Sequence, residues 1–105
     1  MERTIKSETL KTAFDGKYVL DVRRSSDLAA SSEQLPGAHW RDPDRLADWA
    51  DGLPRDRDII LYCVRGGSVS NAVVDALQGR GLHARFVEGG IEGWKAAGGR
   101  TEAKA

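Results

Sequence analysis

The stretch Asp58–Leu77, D-I-I-L-Y-C-V-R-G-G-S-V-S-N-A-V-V-D-A-L, decides how the chain is read. An apolar run rich in Ile, Leu and Tyr stops at Cys63, the only cysteine, and five mostly small residues, Val64 to Ser68, follow it. Apolar residues then return at helical spacing, with Val69, Ala72, Val73, Ala76 and Leu77 on one expected face. The pattern is that of a buried strand, a loop and an amphipathic helix.

Outward from this unit, short apolar runs alternate with helical patterns. Upstream, Lys17–Val22 reads as a buried strand after an Asp15-Gly16 turn. A helix is expected over Thr4–Phe14, with Ser7 as its cap, and a short one over Ser26–Ser31. Ala38–Trp40 reads as a very short strand, and Asp42 and Pro43 open a helix carrying Leu46, Trp49 and Ala50. Downstream, Ala84–Glu88 reads as a strand and Ile91, Trp94 and Ala97 mark a last helix, after which residues 99–105 are expected to fray as a flexible tail. Alternating strands and helices imply an α/β fold with a mainly parallel sheet. In such sheets ligands gather outside the carboxyl ends of the strands, where Asp21-Val22-Arg23, Cys63 and Glu88-Gly89-Gly90 all fall.

Composition narrows the function. A length of 105 residues suits one domain, 1–105. Sixteen basic residues balance sixteen acidic ones, so no bulk positive field favours nucleic acid or a membrane surface. No apolar run approaches the roughly 18 residues of a membrane span, and a cytoplasmic location is expected. His39 and His83 give no metal-ligand spacing with Cys63, and without a second cysteine there is no internal dithiol cycle. No metal or organic cofactor is expected.

Cys63 stands where a thiolate can be stabilised. Gly66 and Gly67 let successive backbone N–H groups turn into a concavity, and the first turn of the following helix adds its free N–H groups. Such a field lowers a thiol pKa and favours the nucleophilic form. Arg65 offers a charge for an anionic substrate, and Ser68 is the expected cap of the helix. The plain alternative is a cysteine that only fills space, since free cysteines are among the most buried residues; the Gly-Gly loop and helix start behind it favour reactivity.

With these residues in view, the chain resembles a single-domain rhodanese, a thiosulfate-type sulfurtransferase. The resemblance is carried by D-V-R at Asp21–Arg23, P-G-A at Pro36–Ala38, L-Y-C-V-R-G-G-S at Leu61–Ser68 and V-E-G-G-I-E-G-W at Val87–Trp94. It implies a rhodanese-like fold, with a mostly parallel five-stranded sheet flanked by helices on both faces. It also implies a six-residue active loop from Cys63 to Ser68. The implied chemistry moves a sulfane sulfur from thiosulfate or a persulfide donor through a persulfide on Cys63 to a thiol or cyanide acceptor. Val64, Arg65, Gly66, Gly67 and Ser68 would line the site, with Asp21 and Arg23 supporting it from a neighbouring strand end.

Related Cys-dependent phosphatases and arsenate reductases follow C-x5-R. Counted from Cys63, that position is Val69, which cannot clamp an oxyanion. A second reading is a non-catalytic sensor or interaction module in which persulfidation or oxidation of Cys63 is read by a partner. Val64 and Ser68 stand where the family often carries other residues, basic ones among them, which leaves the donor open. His39 and Trp40 are candidates to border the pocket.

Overall fold

The computed structural model describes residues 2–104. In chain order its elements are β1 (Thr4–Ile5), α1 (Ser7–Thr12), β2 (Tyr18–Asp21), α2 (Ser25–Ala29), β3 (Glu33–Gln34) and β4 (His39–Trp40). They continue with α3 (Leu46–Trp49), β5 (Ile59–Tyr62), α4 (Ser68–Gly79), β6 (Ala84–Val87), α5 (Gly90–Ala96) and β7 (Glu102–Ala103). Five strands form a parallel sheet in the order β1-β6-β5-β2-β4, with β5 at the centre.

The alternation of β5 divides the interior into two layers. Ile59 and Leu61 point to one face, where they pack with Leu20, Val73, Val74, Leu77 and Phe86. Ile60 and Tyr62 point to the other, with Leu10, Val19, Val87, Ile91 and Trp94. All four β5 residues are fully buried. Both faces being covered explains why the strand reads as a continuous apolar run rather than an alternating one.

The expected fold is therefore observed, and the differences lie at its edges. The first expected helix is split: Ile5 pairs in parallel with Val87 in β1, and α1 starts only at Ser7, capped by Lys6 rather than Ser7. Tertiary pairing overrides a helical spacing here, because Ile5 buries itself on the sheet. The helix opened by Asp42 begins as a 3-10 turn, Pro43–Arg45, with the Asp44 N–H donating to the Asp42 carboxylate at 2.9 Å. Near its C-terminus the chain lies against the rest of the protein. β7 pairs antiparallel with β3, and the Trp94 indole N–H donates to the Arg100 carbonyl at 2.6 Å. Ala105 lies outside the described residues.

Helix α4 carries the most informative difference. Its buried residues are Ser70, Val73, Val74 and Leu77, a face displaced from the expected one, and Ala72 is exposed. A polar residue, Ser70, begins that face at full burial. Hydrophobic periodicity cannot register a serine, so the expected face was centred on Val69 and Ala72.

Candidate active site

Cys63 leaves the carboxyl end of β5 and is 7% exposed. The loop after it folds back over its own sulfur. The Gly66 N–H donates to Sγ at 3.2 Å and the Ser70 hydroxyl donates at 3.0 Å. Burial pushes the Cys63 thiol up. The Ser70 hydroxyl, then the backbone N–H groups of Gly67, Gly66 and Arg65, outweigh burial and hold it below its ordinary value. The site thus concentrates hydrogen-bond donors on one atom able to carry negative charge.

The loop is held in this shape by the turn between β6 and α5. The Ile91 N–H donates to the Cys63 carbonyl at 3.0 Å and the Glu92 N–H to the Val64 carbonyl at 3.2 Å. Gly90, at φ +61°, lies so close that a Cβ there would meet both carbonyl oxygens at 2.5 Å. Gly66, at φ +72°, packs against the same turn, 3.0 Å from an added Cβ to the Gly89 nitrogen. Each glycine allows both a left-handed backbone and the approach of a second backbone. The two Gly-containing motifs singled out in the sequence are therefore halves of one structure.

A second support stands behind the loop. The Arg23 guanidinium donates to both oxygens of Asp21, the shortest contact being 2.7 Å, and also to the Glu33 carbonyl at 3.0 Å. Tyr62, the residue before Cys63, donates its hydroxyl to Asp21 at 3.0 Å and accepts from the Leu35 N–H at 3.2 Å. Burial, then the charge of Asp21, pushes the Tyr62 hydroxyl well above its ordinary value. Burial lowers the pKa of Arg23, but the hydrogen bonds and charge of Asp21 outweigh it and hold it above its ordinary value. Both members of the ion pair are 1% exposed, so the cluster is paired throughout.

The other expected site residues divide. Val64, Arg65, Gly67 and Ser68 line a cavity of about 430 Å³ beside Cys63, together with Arg24, Asp27 and Val69. Ser68 is not the helix cap: Gly67 holds that position with no side-chain bond, and Ser68 is exposed in the first turn. Arg65 is largely exposed and pairs with Glu92 at 3.3 Å. Neither His39 nor Trp40 lines this cavity; His39 stacks on Tyr18 with ring centroids 4.7 Å apart, and the Trp40 indole N–H donates to the Arg23 carbonyl at 2.9 Å. Sequence reading missed Ser70 and Arg24. Ser70 could have been found by counting one helical turn in from the loop, since a polar side chain there faces back toward the cysteine.

Among the described residues no group of His, Cys, Asp and Glu is arranged to hold a metal ion, and no helix is long and apolar enough to cross a membrane. A larger hollow of about 600 Å³, around Arg3, Lys6, Arg85 and Glu88, mixes both signs of charge and does not include Cys63.

Known proteins share this fold. A tRNA sulfurtransferase of Desulfurococcus amylolyticus is 30% identical over 86% of this chain, which spans only 17% of that protein's length. The crystal structure of a rhodanese-related protein from Thermoplasma volcanium superposes with a TM-score of 0.85 at 28% identity, covering 95% of this chain and 97% of that one. A rhodanese-like domain protein from Staphylococcus aureus gives 0.80 at 25% identity, covering 98% and 99%. The model of the rhodanese-like domain matches residues 6–97, a span that includes the strand, loop and helix around Cys63, and the chain belongs to that family.

Proposed function

We propose that the protein is a sulfurtransferase that carries a sulfane sulfur on Cys63, taking it from thiosulfate or a related donor and passing it to a small thiophilic acceptor. The observation that carries this reading is the set of donors converging on Sγ, from the Ser70 hydroxyl and the loop N–H groups, at the wall of an open cavity. Family membership and the similarity to a tRNA sulfurtransferase support sulfur-transfer chemistry in general. A formal net charge of zero gives no field to hold a polyanionic acceptor, which favours a thiol or cyanide.

In the first half-reaction the Cys63 thiolate attacks the outer sulfur of thiosulfate. A new S–S bond forms to Sγ, the S–S bond of thiosulfate breaks, and sulfite leaves with the bonding electron pair. In the second, cyanide or a thiolate attacks the terminal sulfur of the persulfide and the Cys63 thiolate is released. A negatively charged sulfur is present at each stage, and the donors around Cys63 stabilise that charge in a fixed arrangement. The lowered Cys63 pKa raises the thiolate fraction and so reduces the need for a general base.

Mass spectrometry of the intact protein tests the reading. Thiosulfate should add one sulfur to the wild-type chain, cyanide should discharge it, and Cys63→Ser should take up none. A wild-type thiol inert to thiosulfate and to organic persulfides alike would overturn the transfer reading in favour of an interaction module.

A further inference from the structure

Two arginines, Arg24 and Arg65, line the Cys63 cavity, and they differ in what opposes them. Arg65 leans on Glu92, which offsets part of its field. Arg24 makes no ion pair among the described residues. Its backbone follows directly on Arg23, whose N–H donates to Asp21 at 3.0 Å and whose carbonyl accepts from Trp40. An exposed head therefore stands on an anchored root. Past Arg24 a second hollow of about 260 Å³ opens over Pro43, Val69, Ala72 and Val73, and shares Arg24, Ser68 and Val69 with the first. Arg24 thus stands where a reactive pocket meets a partly apolar groove.

The carboxylates nearby limit what can bind. Asp27 lies on the wall of the first hollow and Asp44 on that of the second. A compact dianion such as thiosulfate meets this mixed field as a whole and leaves the second hollow unused. An organic donor with one negative charge set apart from its sulfur can place that charge on Arg24 and its carbon chain over Val69, which both hollows share.

We infer that Arg24 is the anion-recognition residue for the sulfur donor, and that the donor class is an organic persulfide, R–S–SH, whose R group bears a carboxylate. The inference rests on the sulfur-transfer reading above and names its substrate. The Cys63 thiolate bonds to the terminal sulfur, the bond between the two donor sulfurs breaks, and R–S⁻ departs as a thiolate. The proton of the donor stays on the transferred sulfur.

The test compares the hydropersulfide of 3-mercaptopropionate with that of its amide, which has the same length and no charge. Arg24→Ala should raise KM for the carboxylate donor about fivefold, the upper size of an exposed ion pair, and change the amide donor less than about twofold. Asp27→Asn should lower KM for the carboxylate donor about twofold by removing an opposing charge. Both side chains are exposed, so neither variant endangers folding. Equal effects on the two donors, or none, would overturn the assignment. Binding without transfer separates this from the reaction itself. In Cys63→Ser, 3-(methylthio)propionate should shift the Ser68 and Val69 amide resonances more strongly than its amide does, and adding Arg24→Ala should erase that preference. If the wild-type chain takes sulfur from no donor yet this preference is seen, transfer fails and the anion site stands. If the preference is absent, the anion site fails whatever the chemistry.

Discussion

The Ser70 hydroxyl donates to the Cys63 sulfur at 3.0 Å from inside the first turns of α4. Ser70 is wholly buried, so its hydroxyl is committed to that acceptor. Removing it in Ser70→Ala takes a donor from the charged form of the thiol and raises its pKa. A hydrogen bond to a charged group is worth about 1.5 kcal/mol or more, which corresponds to a drop in Cys63 alkylation by iodoacetamide of roughly tenfold at neutral pH. The fold should survive, as a methyl replaces a hydroxymethyl at an already packed position. An unchanged alkylation profile would remove Ser70 from the site.

The lowered thiol pKa also sets the sign of a pH effect. Between the folded pKa and the ordinary one, the unfolded chain holds a proton that the folded chain lacks, so stability rises with pH across that window. The contribution is complete above the unfolded value and is lost as pH falls through the folded value. Urea unfolding of the wild type and of Cys63→Ala, compared over neutral to alkaline pH, should show a gain with pH in the wild type that the variant lacks. Alkylation of the wild type should rise through the same lowered pKa and then level off.

Gly90→Ala should damage the site from the other side of the loop. An added Cβ meets the Cys63 and Val64 carbonyl oxygens at 2.5 Å, and the residue must keep φ +61°. The left-handed backbone alone costs about 1–2 kcal/mol, and for a chain of this size each kcal/mol lowers Tm by about 4–8 °C. Thiol reactivity should fall with Tm because the loop must shift. Gly79→Ala, in a helix with open space around the position, is the control and should leave both unchanged or slightly raise Tm.

Asp21→Ala leaves the Arg23 guanidinium buried without its carboxylate and the Tyr62 hydroxyl without its acceptor. The expected loss is about 3–5 kcal/mol, read as a shift of the urea midpoint at constant slope. Tyr62→Phe removes one donor and leaves the Leu35 N–H unpaired, at an expected cost of about 1–3 kcal/mol. Should Asp21→Ala cost no more than Tyr62→Phe, the ion pair would not be the centre of this cluster.

Arg65→Ala should have a smaller effect on anionic donors than Arg24→Ala, at most about threefold in KM, because Glu92 already opposes its charge and exposed pairs contribute less than about 1 kcal/mol. Steady-state kinetics with the carboxylate donor decides the order. The reverse ranking would return the anion-binding role to Arg65.

What the sequence determined by itself was the central unit and the edge of the sheet where chemistry could occur. Ile59–Tyr62 had to be buried on both sides, the glycines after Cys63 had to turn the chain, and D-V-R and V-E-G-G had to fall at neighbouring strand ends. These are local matters of hydrophobic period and backbone freedom, and each is written in consecutive residues. Only the tertiary structure decided which atoms meet. Ser70 reaches the sulfur because α4 rotates a serine into its buried face, and Gly90 touches the Cys63 carbonyl because β6 lies beside β5 in the sheet. Ile5 became a strand rather than part of a helix for the same reason, through a partner 82 positions away in the chain, at Val87. Hydrogen bonds and steric contacts between distant segments depend on register and packing, which no local pattern encodes. Cys63 was therefore visible as a candidate nucleophile from its neighbours in sequence, whereas the groups that hold its charge became visible only when the helix and sheet were brought together.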